Sequence, residues 1–374
     1  MISFRGALLR ARGLPRPYVD SRPLEIVELE LPDPGPGEVL VRVEAASLCR
    51  SDLSVVNGTR VWPLPMVIGH EAAGEVVEVG PGVAGLAPGD GVVLVYLPQC
   101  GRCTRCRAGE AWLCEEGGAA NQRGELLTGG TRLTHRGEKI HHHMGVAAFA
   151  EYTLVAEPSV VKVPPGLPAR DITVFGCAVL CGAGTSLNTA GVSEHDSVAV
   201  IGLGAVGLSA IVGARAAGAG GIIAIDLLEE KLSPALTMGA TDALEAGEET
   251  VDQVVAETAG GVDHAIEASG TVEGFELAMG LVRRGGTVTV LGLAGPSDFH
   301  QLRLAELVVK GVTIKGSYLG SCVTSRDVPY FIDLYQRGQL PADRLVSHTI
   351  SLDDINVALD RLADGEALRQ VIEF

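Results

Sequence analysis

The feature that most restricts the fold is one turn. Gly202-Leu203-Gly204-Ala205-Val206-Gly207 follows the apolar run Val198-Ala199-Val200-Ile201 and opens an Ala-rich stretch. A G-x-G-x-x-G placed between a strand and a helix supplies glycine where the chain turns sharply and where a diphosphate must approach the backbone. The unpaired N–H groups and dipole of the helix N-terminus then favour the anion. The next strand, IIAID, ends in Asp226, near the ~20-residue spacing at which an acid accepts hydrogen bonds from an adenosine ribose. A carboxylate there also repels the extra phosphate of NADP. NAD is therefore the expected cofactor, held by Gly202, Gly204, Val206, Gly207 and Asp226. Lys231 is counted with them, although with Glu229 and Glu230 it reads most simply as a solvated charge on a helix face.

From about Asp196 the pattern is that of a parallel α/β sheet: SVAVIGLG, AVGLSAIVGARAAGA, IIAID, HAIEAS and TVTVLGL alternate apolar strands with small-residue helices. The chain is 374 residues long, more than one core usually supports, so a second domain is expected. Its texture, up to about residue 178, is of short β segments such as EVLVRVEAAS and GEVVEVG broken by PDPGPGE and APGDG turns, which reads as an irregular β-barrel. After about Tyr318 the chain reads as helical (VPYFIDLYQRG, SLDDINVALDRLADG), and the last strand, RQVIEF, is expected to return to the first domain. The nucleotide fold is then an insertion.

A formal charge of -17 repels phosphate backbones and anionic headgroups, so neither nucleic acid nor membrane is an expected partner. MISFRGALLRARG has no continuous apolar core, and no later stretch is long enough to span a bilayer. The expected location is cytoplasmic. Eight cysteines without a secretory signal point to metal rather than disulfides. Cys100, Cys103, Cys106 and Cys114 form C-x2-C-x2-C-x7-C, a spacing that lets one loop wrap a tetrahedral ion; with four thiolates no position is left for substrate, so that zinc is structural.

Taken together, Cys49-Arg50-Ser51-Asp52, Gly69-His70-Glu71, the Pro98-to-Cys114 lobe, FGCAVLCGAGTSLNTAGV around Cys177, the GLGAVG turn and Leu368-Arg369 resemble the zinc-containing medium-chain alcohol dehydrogenases. Within them the long-loop branch of liver-type and glutathione-dependent formaldehyde dehydrogenases is most similar. The resemblance runs nearly end to end. It implies a GroES-like β-barrel catalytic domain over 1–178 and 319–374, with the zinc lobe at about 98–116, and an inserted Rossmann doubly wound domain over 179–318.

By the same resemblance Cys49, His70 and Cys177 hold a catalytic zinc, leaving a fourth position for water or an alcohol oxygen. Asp52 orients the ligand imidazole, and Glu71 stands behind the metal. Arg50 and Arg369 match diphosphate-binding arginines, and Ser51 the hydroxyl that takes the alcohol proton. The relay departs from the liver-type pattern at Ser54, where a histidine is expected, so the proton must leave through water or another base. The implied substrate pocket holds Tyr96, Ala119, His143, Met144, Leu291, Leu293 and Tyr318, with Arg60 and Trp62 at its mouth. Arg60 and His143 are expected to face solvent or to meet a polar substrate group.

The formaldehyde branch grips glutathione with an acid near the position of Arg60 and an arginine where this chain has Gly118, so that adduct is not expected. The reading is thus a two-zinc, NAD-linked alcohol dehydrogenase acting reversibly on a small-molecule primary alcohol or its aldehyde, with an aromatic alcohol left open. A formaldehyde dehydrogenase using another thiol carrier is the alternative. A non-catalytic NAD-binding member is the third, though such a chain should have lost zinc ligands that are all kept here. The long loop before residue 145 accompanies dimeric members, which implies a homodimer joined through the nucleotide-binding domains.

Overall fold

The computed structural model describes residues 1–374. The chain divides into two compact units: Met1–Cys177 with Val323–Tyr335 and Ala342–Phe374, and Ala178–Cys322 with Gln336–Pro341. The first carries β1 (Ile2–Leu9), β2 (Leu24–Leu31), β3 (Glu38–Ser47), β4 (Met66–Val67), β5 (Ala72–Val79), β6 (Gly91–Leu94), β7 (Leu133–His135), β8 (Glu138–His142), β9 (Tyr152–Ala156) and β10 (Val160–Lys162). The second carries β11 (Ser197–Ile201), β12 (Gly221–Asp226), β13 (Asp242–Glu245), β14 (Val262–Glu267), β15 (Val282–Val290) and β16 (Thr313–Gly316). The chain then returns to the first unit as β17 (Val346–Ile350) and β18 (Arg369–Glu373).

In the first unit β1, β2, β7, β8 and β4 close a barrel, beside a seven-stranded sheet ordered β10-β6-β5-β3-β18-β17 with β9 also paired to β3. β3 is central because it pairs with β5, β9 and β18 and sends apolar side chains into two cores. Val39, Val41 and Val43 enter one core with Leu94, Phe149 and Ile372, whereas Leu40 enters the other with Leu29 and Leu154, as the period of two along a strand requires. Register shifts between Leu40 and Val41 and between Val43 and Ala45 in the β3–β5 ladder are the irregularities that bend such a sheet. The barrel expected from the sequence is present.

β18 pairs antiparallel with β3, Val371 opposite Ser47, and parallel with β17. The last strand therefore returns as expected. The run after Tyr318 is not wholly helical, however. Helices Thr324–Gln336 and Ile355–Asp364 are separated by β17, whose alternating half-exposed and exposed residues give no apolar signature.

The second unit is a six-stranded parallel sheet ordered β13-β12-β11-β14-β15-β16. Its central strands are buried along nearly their whole length, as parallel strands covered on both faces must be. The strand order reverses at β11, and the Gly-rich turn leaves the carboxyl end of that strand to start the helix Ala205–Ala216, the place where doubly wound sheets bind ligands. Gly202 has φ of 91°, which disfavours any side chain. A Cβ on Gly207 would lie 1.9 Å from the Gly202 carbonyl oxygen, so only glycine lets the helix start this close to the turn. No single helix is long and apolar enough to cross a membrane.

Candidate active site and metal centres

Four segments of the first unit converge on one buried cluster. Cys49 lies just beyond β3 and precedes the helix Arg50–Val56; His70 and Glu71 lie between β4 and β5; Cys177 follows the short turn Thr173–Gly176. The ligand atoms of Cys49, His70, Glu71 and Cys177 all lie within 4.8 Å of one another, and all four residues are buried. Arg369 opens β18 and reaches the same place because β18 pairs with β3.

Asp52 orders the cluster. Its Oδ2 accepts the Cys49 backbone N–H at 2.9 Å, and its Oδ1 stands 2.9 Å from His70 Nδ1. A proton donated from Nδ1 leaves Nε2 as the ligand nitrogen, the arrangement in which a carboxylate fixes a metal-binding imidazole. The Cys177 side chain, opposed by burial and helped by Arg369 and His70, holds the Cys49 thiol well below its ordinary pKa, so a thiolate is available. Glu71 is fully buried, and its two carboxylate oxygens have no hydrogen-bond partner. Burial pushes its pKa up to about 8 against the pull of Arg369. Arg369 Nη1 donates to the Leu48 carbonyl at 3.0 Å and Nη2 stands 2.9 Å from Glu71 Oε1, but Nε has no acceptor. Two sulfurs and an oriented imidazole nitrogen suit zinc, with the Glu71 carboxyl paired to Arg369 beside them.

The second centre is the Cys100–Cys114 lobe, where four sulfurs lie within 4.8 Å of one another. Backbone N–H groups point at them: Cys103 at Cys100 Sγ (3.3 Å), Cys106 at Cys103 Sγ (3.5 Å), and Cys100 and Gly117 at Cys114 Sγ (both 3.3 Å). Such donors stabilise thiolates, and four thiolates make a closed structural zinc site. An Arg102–Glu116 ion pair clips the outside of the lobe.

Ser51 lies half-buried in the first turn of the helix Arg50–Val56, and Arg50 is exposed. Ser54 Oγ donates to the Ser51 carbonyl at 2.7 Å, so its hydroxyl is spent on the helix backbone. Tyr96 meets the His70 ring edge-on at 5.7 Å, Met144 is half-buried, and Arg60 is half-buried with its backbone N–H on the Ser54 carbonyl. Leu293 and Tyr318 are exposed residues of the second unit.

His143 does not face solvent, the first of the alternatives expected for it. It is fully buried, with its ring edge-on to His70 at 5.5 Å and to Trp62 at 5.4 Å and its Nδ1 3.2 Å from Asp52 Oδ1. Burial lowers its pKa against the pull of Asp52, which keeps the ring neutral near neutral pH.

In the second unit Asp226 Oδ2 accepts the Leu203 backbone N–H at 2.6 Å and Oδ1 that of Leu228 at 3.1 Å. The acid therefore also braces the Gly-rich turn. Lys231 is not the freely solvated charge of its simplest reading: its Nζ lies 3.8 Å from Asp226 Oδ1 and its side chain is mostly covered. No local spacing signalled the Asp52–His143 and Glu71–Arg369 contacts, since each joins residues that only strand pairing and loop packing bring together.

A reversing parallel sheet with a phosphate turn and a β-barrel unit carrying an oriented Cys/His/Cys centre beside a four-thiolate lobe define a zinc-dependent dehydrogenase. Residues 35–165 match the family described as "Alcohol dehydrogenase GroES-like domain" and residues 205–337 that described as "Zinc-binding dehydrogenase". S-(hydroxymethyl)glutathione dehydrogenase of Synechocystis sp. is 38% identical over 358 residues, 94% of this chain and 97% of that protein. The enzyme of the same name from Escherichia coli is 37% identical over 362 residues, covering 96% and 98%. Among solved structures, an alcohol dehydrogenase zinc-binding domain protein from Burkholderia ambifaria superposes with a TM-score of 0.94 at 35% identity, covering 100% of this chain and 99% of that one. Benzyl alcohol dehydrogenase from Acinetobacter calcoaceticus does so with a TM-score of 0.92 at 32% identity, covering 100% of both chains. The chain belongs to the zinc-containing alcohol dehydrogenase family and is an NAD-dependent oxidoreductase with two zinc sites.

Proposed function

We propose that this dehydrogenase oxidises primary alcohols, aromatic ones included, and reduces the corresponding aldehydes. The carrying observation is the buried Cys49/His70/Cys177 set with Asp52 behind its imidazole. Zinc held there would act as a Lewis acid on the alcohol oxygen. Ser51 takes the hydroxyl proton, and a bound nicotinamide would supply the hydride acceptor. Since Ser54 is bonded to the Ser51 carbonyl, the proton leaves to water. The rings of Tyr96 and Trp62, packed on His70 and His143, and the likeness to a benzyl alcohol dehydrogenase support an aromatic alcohol.

Preference for NAD over NADP is assigned to Asp226, with Lys231 beside it and Gly202, Gly204, Val206 and Gly207 beneath the diphosphate. Arg50 and Arg369 supply cations for the same diphosphate; the Arg369 Nε that lacks an acceptor supports that role. A homodimer through the second unit is supported by the helix Leu304–Lys310, which buries none of its residues and exposes Leu304, Val308 and Val309. Apolar exposure of that kind marks an interaction surface.

The names of the curated relatives favour a second reading, oxidation of a formaldehyde–thiol adduct, but Arg60 and Gly118 lack the groups that would hold glutathione. NAD reduction with benzyl alcohol, an aliphatic primary alcohol, and formaldehyde with and without a low-molecular-weight thiol separates the two. Turnover of the plain alcohols is expected. Turnover only of formaldehyde with an added thiol overturns the first reading.

A further inference from the structure

The helix Glu115–Gln122 connects the thiolate lobe to the surroundings of His70. Its N-cap is Cys114, whose Sγ accepts the backbone N–H groups of Cys100 and Gly117, both at 3.3 Å. Residues 114, 117 and 121 follow at the spacing that puts them on one face of a helix, and that face lies along the segment from Tyr96 to Cys100. Gly117 packs so closely there that a Cβ would come within 2.1 Å of the Pro98 carbonyl oxygen. One turn further on, the buried Asn121 donates from Nδ2 to the Tyr96 carbonyl at 2.7 Å. Helix and segment are thus fastened at three points, and the last of them is the residue whose ring meets His70 edge-on at 5.7 Å. The Asn121 amide also faces the turn His143–Gly145, for a Cβ on Gly145 would lie 3.4 Å from its Oδ1. His143 is the second ring packed on His70, at 5.5 Å. Asn121 Oδ1 itself is buried without a partner, a cost that a leucine of similar size would not carry. The bond to Tyr96 is what the amide supplies there.

We propose that Asn121 is a positioning residue of the catalytic centre: by holding Tyr96 to the lobe helix it fixes the ring against which the His70 imidazole rests. Asp52 holds His70 at Nδ1, and Tyr96 limits how far the imidazole tilts about that contact. The lobe then does more than hold itself together, since its closed thiolate site anchors this strut through Cys114. The proposal rests on the reading of Cys49, His70 and Cys177 as the alcohol-oxidising site. Partners that orient a metal-binding imidazole from behind are worth about ten- to a hundredfold in metal affinity or activity. Asn121 acts one contact further away, at the lower end of that range.

The test uses Asn121→Leu, which keeps the volume and loses the donor, and Asn121→Gln, which keeps a donor. Each is assayed zinc-loaded with NAD and benzyl alcohol. Each is then examined with cobalt in the Cys49/His70/Cys177 site and zinc kept in the lobe, because the visible bands of a thiolate- and imidazole-bound cobalt ion follow its ligand geometry. In Asn121→Leu kcat should fall about tenfold with the KM for NAD unchanged, and the cobalt bands should shift. Asn121→Gln should recover part of both. Gly117→Ala drives the same helix off Pro98 and leaves the Asn121 side chain intact, so it should shift the bands too, and it decides the matter if Asn121→Leu does not fold. If wild type oxidises no alcohol yet the bands shift in Asn121→Leu, the proposed reaction fails while the positioning role stands. Unchanged kcat with unshifted bands, or a lower kcat with unshifted bands, overturns the proposal. A contact that only stabilises the fold would lower Tm and leave the bands alone.

Discussion

Arg369 Nη2 lies 2.9 Å from Glu71 Oε1 with both side chains buried, across almost three hundred residues of sequence. Burial already holds the Glu71 carboxyl toward its neutral form against the pull of Arg369, so removing Arg369 leaves a buried carboxyl without its partner rather than a stranded charge. Arg369→Leu should therefore destabilise the zinc-loaded protein by about 1–3 kcal/mol in urea unfolding. The loss should differ in a Glu71→Gln background, because the unpartnered carboxyl is gone. Additive effects would show that the two side chains do not act as a pair.

The two metal centres should fail differently. Cys103→Ser breaks the thiolate lobe, so zinc content should fall from two to one per chain with a marked drop in Tm. Cys177→Ser should also lose one zinc and abolish turnover, with a smaller drop in Tm, since two barrel-side cores hold its surroundings. Metal analysis and thermal melts decide, and equal shifts in Tm would contradict the division into structural and catalytic sites.

Cofactor choice should follow one carboxylate. Asp226→Ala removes the acceptor of the Leu203 N–H together with the charge that repels an extra phosphate. The KM for NAD should rise on the order of tenfold, and the NAD-to-NADP ratio of kcat/KM should fall by at least as much. An unchanged ratio would place discrimination elsewhere in the second unit.

Acid sensitivity should be traceable to His142. This ring is fully buried, and its Nε2 accepts the Arg132 backbone N–H at 3.2 Å. Burial, then the charges of Arg132 and His141, push its pKa down to about 3. The unfolded chain binds a proton below about pH 6.5 that the folded chain refuses, so stability is full above that pH and declines as pH falls toward the folded value. At pH 5 the difference amounts to about 2 kcal/mol. Urea unfolding at pH 7 and pH 5 should show that loss in wild type and a correspondingly smaller one in His142→Gln.

The homodimer should dissociate when its proposed apolar surface is charged. Val308 and Val309 are both largely exposed in the single chain. Val308→Glu with Val309→Lys should shift the species seen by light scattering from dimer to monomer, and an unaltered dimer would move the interface elsewhere.

The sequence by itself determined what depends on neighbours along the chain. The Gly202–Gly207 turn declared a strand, a phosphate site and a helix because glycine is required where φ is positive and where the helix abuts the turn. The Cys100–Cys114 spacing declared a closed zinc site because one short loop supplies every ligand. The EVLVRVEAAS run declared a strand. The tertiary structure alone decided everything that joins distant segments. β17 escaped notice because an exposed edge strand has no apolar pattern. Arg369 is joined to Glu71 only because β18 pairs with β3. His143 is expected from sequence either at solvent or against a polar substrate group, and only the fold buries it beside Asp52 and His70. Local spacing encodes backbone conformation and short-range ligation, whereas the desolvation and charge pairing that set the chemistry of a buried site arise only when remote strands exclude water around it.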